Sequence, residues 1–164
     1  MIKIAKKTDP KGMYYLIKDG DYGIFKPQSY DFILSAFTFD NIPQENKISL
    51  FSGLIHLLQK EGIFVNIVSS PEMYTHEWAS FSTKDFPDNK HVKNGDIVPI
   101  ITTDFDDKRP CYDIFCTPEE YRRIYKKAGL QIIQIEKPLA TGFEPYQWIN
   151  EIKIAPWTIY VLKK

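Results

Sequence analysis

The chain has 164 residues, with 43% hydrophobic and 15% aromatic side chains, room for one domain with a real core and not for two ordinary ones. Lys plus Arg number 21 and Asp plus Glu number 21, a net charge of zero that excludes a nucleic-acid binder built on bulk charge and a polybasic membrane anchor. The apolar stretches at 63–68 and 97–101 fall far short of the roughly 20 residues that span a bilayer. Met1-Ile2-Lys3-Ile4-Ala5-Lys6-Lys7 is too short and too charged for a secretory leader. Cys111 and Cys116 match no zinc or disulfide spacing, and the three histidines are scattered, so no metal site is expected. These bounds point to a cytoplasmic protein of one domain.

Met1, Ile4 and Ala5 share a helical face, and Gly12 is a plausible stop. Residues 13–18 read as a short strand closed by the turn Asp19-Gly20-Asp21. Residues 30–36 are a mostly apolar run, the pattern of a strand covered on both faces. Pro43 then suits the first turn of a helix whose stripe is Ile48, Phe51, Leu54, Ile55 and Leu58 and which stops before Gly62. Residues 63–68 are a second buried-type strand. Ser70-Pro71-Glu72 is a helix-start signal, with Tyr74, Trp78 and Phe81 aligned on one face. Residues 97–103 and 111–115 form a hairpin. Thr117, Pro118 and Glu120 are a capping box for a helix ending at Gly129. Residues 130–137 and 157–163 are two last strands. Alternating strands and helices predict an α/β fold with a mostly parallel sheet, its last strand antiparallel.

Several segments in this order resemble the class I S-adenosylmethionine-dependent methyltransferases. They are Asp21 after a strand, Tyr30-Asp31-Phe32-Ile33-Leu34-Ser35-Ala36, and Leu57-Leu58-Gln59-Lys60-Glu61-Gly62 opening into a strand. Ala128-Gly129-Leu130 and Tyr160-Val161-Leu162-Lys163-Lys164 fit the family's last two strands. The resemblance covers nearly the whole chain and implies a Rossmann-like sheet of order 3-2-1-4-5-7-6, with residues 69–116 as an insertion or lid. It implies S-adenosylmethionine as cofactor and methyl transfer to a small-molecule acceptor, with no nucleic acid or membrane as partner.

The family holds its cofactor first by a glycine-rich turn, where backbone and ligand approach closely, and then by an acid that takes the ribose hydroxyls. The glycines here, at 12, 20, 23, 53, 62, 95, 129 and 142, include no G-x-G-x-G. The expectation is therefore one incomplete domain, 1–164, that lacks the first two strands and cannot bind cofactor alone. Their absence would leave a gap of ~14 Å between strands 13–18 and 30–36. Either 13–18 moves in to pair, or a second copy covers the exposed edge as a homodimer. A C-terminal piece of an enzyme, a non-catalytic remnant acting as an interaction protein, and a chain completed by a partner all fit this pattern.

By the same resemblance, Asp21 accepts the adenine amino group and the Tyr22 backbone amide meets the ring, although Asp19-Gly20-Asp21 also reads as a polar turn. Ser35, Ala36 and Phe37 lie at the carboxyl end of a strand, where ligands sit in open α/β sheets. Asp40 and Asn41 read as helix-capping residues. His76 is the one histidine among Tyr74, Trp78 and Phe81 and the candidate general base, because imidazole exchanges protons near neutral pH. The aromatic stripe around it also reads as core.

Overall fold

The computed structural model describes residues 2–18 and 20–164. In chain order the elements are α1 (Ile2–Thr8), β1 (Tyr30–Ala36), α2 (Gln44–Leu57), β2 (Leu58–Ser69) and β3 (Phe81–Ser82). There follow β4 (Ile97–Thr102), β5 (Cys111–Ile114), α3 (Pro118–Ala128), β6 (Gln131–Glu136) and β7 (Trp157–Lys163). The main sheet runs β1-β2-β7-β6, with β1 parallel to β2 and β7 antiparallel to both its neighbours. That is the expected mixed α/β sheet with an antiparallel last strand, and it follows the 4-5-7-6 stretch of the order quoted above.

Period-two burial explains why β2 and β7 are central. Phe64, Asn66 and Val68 of β2 turn inward beside Thr158, Tyr160 and Leu162 of β7. The apolar stripe of α2 lies on this face. Phe51 is fully buried, stacked on Phe39 with centroids 3.7 Å apart and edge-on to Tyr125 at 5.1 Å. Tyr121, Ile124 and Tyr125 of α3 close the core, and the Tyr125 hydroxyl accepts from Asn66 Nδ2 at 2.7 Å. The capping box forms: Thr117 Oγ1 accepts from the Glu120 N–H, and Gly129 ends α3 at φ +85°, a left-handed value that suits glycine.

Residues 70–116 build a second, smaller core. The hairpin of β4 and β5 forms as expected, and β3 extends it to three strands. Met73, Tyr74, Trp78, Val98, Ile100 and Phe115 pack inside.

Several expectations are corrected. Residues 13–18 form no strand and pair with nothing in the sheet, so the chain's own segment does not close the β1 edge. β1 is not covered on both faces. Tyr30, Phe32 and Leu34 are exposed, because among the described residues no element lies over them. α2 ends at Leu57 rather than near Gly62. Leu58 pairs with Tyr30, the ladder resumes at Phe32–Ile63, and the intervening residues bulge. Gly62 fits that bulge because a Cβ there would lie 2.8 Å from the Leu58 side chain. Pro71 starts only a 3-10 turn, Pro71–Tyr74, because the Trp78 indole N–H donates back to the Met73 carbonyl and breaks the helical path. α1 buries no residue. Met1 and Asp19, assigned above to the first helix and the polar turn, lie outside the described residues. Among the described residues, no helix is long and apolar enough to cross a membrane.

Candidate functional site

The carboxyl ends of β1 and β2 and the start of β7 meet at one end of the sheet. The Phe37 N–H donates to the Ile67 carbonyl, and Ser69 pairs with Trp157. Open α/β sheets place ligands at this end. A cavity of about 680 Å³ opens here between β1, the first turns of α2 and the segment around Tyr22. Its walls are mainly apolar, from Ile33, Phe39 and Leu50, with Ser35, Thr38, Asn46 and Ser49 as polar points.

Ser35 and Tyr22 both line this cavity. The Ser35 hydroxyl is buried and has no hydrogen-bond partner. Buried hydroxyls are ordinarily paired, so an orphan in a cavity wall marks a place where a ligand can supply the partner. The Tyr22 ring lies against Gly53, where a Cβ would fall 2.6 Å from it, and burial pushes its hydroxyl pKa up. Asp21 is exposed and outside the wall. Its carboxylate accepts the Gly23 N–H at 2.9 Å, the polar-turn arrangement. Ala36 is also exposed and off the wall. Phe37 adopts φ +55°, which is uncommon for a bulky residue, and its ring meets Trp157 edge-on at 5.6 Å.

His76 lies elsewhere, in a pocket of about 220 Å³ with Thr75, Glu77, Thr83, Lys84 and Lys90. Its Nδ1 is 3.1 Å from the Glu72 carbonyl oxygen and from Thr75 Oγ1. With Nδ1–H donating to that carbonyl, Nε2 is left as an open acceptor, the tautomer a general base needs. Tyr74 and Trp78 are core, as the aromatic stripe allowed. The structure thus brings Tyr22 and Ser35 together and keeps His76 apart from them.

A buried polar cluster escaped the sequence reading. Asp40 accepts from the Ser69 N–H at 2.9 Å, from Ser69 Oγ at 3.0 Å and from the Tyr121 hydroxyl at 3.3 Å. Asp113 accepts from the Tyr74 hydroxyl at 3.1 Å. Lys47 is fully buried above the Tyr121 ring, with no hydrogen-bond partner for Nζ. Burial pushes Asp40 up and Lys47 down, and the Cys116 thiol is pushed up to about 12, mainly by burial. Two signals pointed there. Lys47 stands four residues before Phe51 on the apolar side of α2, and Asp113 shares the inward phase of Phe115. Among the described residues, no three His, Cys, Asp or Glu side chains are placed to hold a metal ion.

No protein-family model matches the sequence, and no curated protein does. Solved structures match over nearly the whole chain. An S-adenosylmethionine-dependent methyltransferase from Mesorhizobium loti superposes with a TM-score of 0.67 at 16% identity, covering 100% of this chain and 76% of that one. One from Methanosarcina mazei gives 0.65 at 11% identity, covering 99% and 76%. The fold is that of a class I methyltransferase. A third such enzyme, from Leishmania major, gives 0.59 at 14% identity and covers 99% of this chain but 51% of its own. The chain therefore spans between about half and three quarters of the length of these methyltransferases. Within this fold, the large cavity lies at the carboxyl end of β1.

Proposed function

We propose that this chain belongs to an S-adenosylmethionine-dependent methyltransferase acting on a small-molecule acceptor, and that alone it offers only the adenine side of the cofactor pocket. The observation that carries this reading is the cavity at the carboxyl end of β1, with the orphaned Ser35 hydroxyl in its wall. Its fit to the cofactor is partial. Apolar walls and the Tyr22 ring suit a flat heterocycle, and Ser35 can donate to or accept from its edge. Among the described residues no Asp or Glu lines the cavity, so none of them offers the ribose hydroxyls a carboxylate there. The missing groups come from outside these residues, seated along the free edge of β1 on a further stretch of polypeptide or on a second copy. The lack of an acid among the described wall residues equally favours a second reading, a non-catalytic interaction protein.

When bound, the cofactor supplies a sulfonium methyl group for in-line displacement. The chain's part is to orient and to exclude water. Tyr22 and Leu50 would flank the heterocycle and Ser35 would hold its edge, whereas His76, in its separate pocket, is not placed to take a proton from an acceptor at this cavity. Saturation-transfer NMR with adenosine tests the cavity. We expect transfer to the adenine protons, with Kd in the roughly millimolar range that one small buried ring supports. Leu50→Trp, which puts a bulky ring where the heterocycle would lie between Leu50 and Tyr22, removes the signal. Transfer that survives Leu50→Trp places the ligand elsewhere and contradicts the reading.

A further inference from the structure

We propose that Asp113 is a proton-operated latch that fastens the β3-β4-β5 unit to the main sheet. The unit has its own apolar core, separate from that of the sheet. The two meet where β5 packs against the 3-10 turn Phe39–Asn41 that follows β1. The groups at this junction are polar and buried: Asp113 from β5, Asp40 from the turn, Lys47 from α2 and Tyr74 from the turn after β2. Tyr121 of α3 and Cys116 beyond β5 adjoin them, and Glu120 acts on Lys47 from α3. β4 brings no titratable side chain.

Two carboxylates thus share one ammonium that forms a hydrogen bond with neither. Asp40 is well served, with three donors. Asp113 has one, the Tyr74 hydroxyl. An ionised Asp113 in that position is buried, underpaired and repelled by Asp40, whereas its protonated form is neutral and fits without cost to either. Protonation therefore favours the docked unit. Burial first, and the Asp40 carboxylate next, push Asp113 up to about 6, while Tyr74 and Lys47 pull the other way.

The sign of the pH dependence follows. In the opened unit Asp113 faces water and returns to the ordinary carboxylate value, about 3.9. The docked state binds the proton more tightly, so docking strengthens as pH falls from about 7 towards 4 and is insensitive above about 7. Between pH 7 and pH 5 the opening constant falls about tenfold.

Native-state hydrogen exchange on the full chain, corrected for intrinsic rates, reads this directly. In the wild type, protection of the β4 and β5 amides should rise about tenfold from pH 7 to pH 5, with the β2 and β7 amides as internal reference. In Asp113→Asn, neutral at every pH, protection should be high and flat. In Tyr74→Phe, which removes the donor that favours the ionised form, the midpoint should move upward. Flat protection in the wild type, the same slope in Asp113→Asn, or an unmoved midpoint in Tyr74→Phe each overturns the latch.

Discussion

Replacing Phe51 with alanine is expected to destabilise the chain by about 3–5 kcal/mol, the range for a large aromatic removed from a tight core. Phe51 is completely buried, and three other rings depend on it. Phe39 stacks on it at 3.7 Å, Tyr125 meets it edge-on at 5.1 Å and Phe64 tilts against it at 5.6 Å. These rings come from the turn after β1, from α3 and from β2, so the void would open where three separate elements join. None of them can collapse inward without losing its own contacts. Urea unfolding followed by tryptophan fluorescence gives the loss as a lower midpoint with unchanged slope. A loss below about 1.5 kcal/mol would show that the core is not centred on this ring.

The second large effect belongs to Asp40. In Asp40→Ala the Ser69 N–H, the Ser69 hydroxyl and the Tyr121 hydroxyl lose their acceptor inside the protein, and Lys47 loses a neighbouring carboxylate. Stranding buried donors and an uncompensated ammonium costs more than relieving one carboxylate of its own burial returns. The expected net loss is about 3 kcal/mol. Asp40→Asn keeps one acceptor oxygen for the Ser69 N–H and should lose only about 1–2 kcal/mol. Equal effects of the two substitutions in urea unfolding would mean that shape, not the acceptors, is what Asp40 contributes.

What the sequence revealed of the fold divides by range. Local chemistry was readable: Thr117, Pro118 and Glu120 start α3, Gly129 stops it, and the hairpin of β4 and β5 shows in its flanking apolar runs. The order of strands came from the resemblance and agrees with β1-β2-β7-β6. Segments that depend on distant partners misled. Residues 13–18 have strand-forming side chains but no neighbouring strand to pair with. Tyr74, Trp78 and Phe81 have helical spacing, yet the Trp78 indole finds the Met73 carbonyl and the chain turns away.

The site divides in the same way. Ser35 could be named from its place at the carboxyl end of an apolar run and Tyr22 from the resemblance, and both line the cavity. Asp21 could be named too, but whether its carboxylate faces a ligand or its own turn depends on a hydrogen bond to Gly23 that composition does not show. Only the apolar-side positions of Lys47 and Asp113 hinted at the cluster of Asp40, Lys47, Tyr74 and Asp113. Its members lie on four elements, and Lys47 reads as a solvated lysine until α3 and β5 cover it.

We propose that this chain, with its methyltransferase fold, carries only the adenine side of a cofactor pocket. Isothermal titration of the 164-residue chain with S-adenosylmethionine, and separately with S-adenosylhomocysteine, tests it most directly. No measurable heat of binding is expected at micromolar concentrations of either ligand. Saturable binding with a micromolar Kd would contradict it, because the chain alone would then hold the whole cofactor.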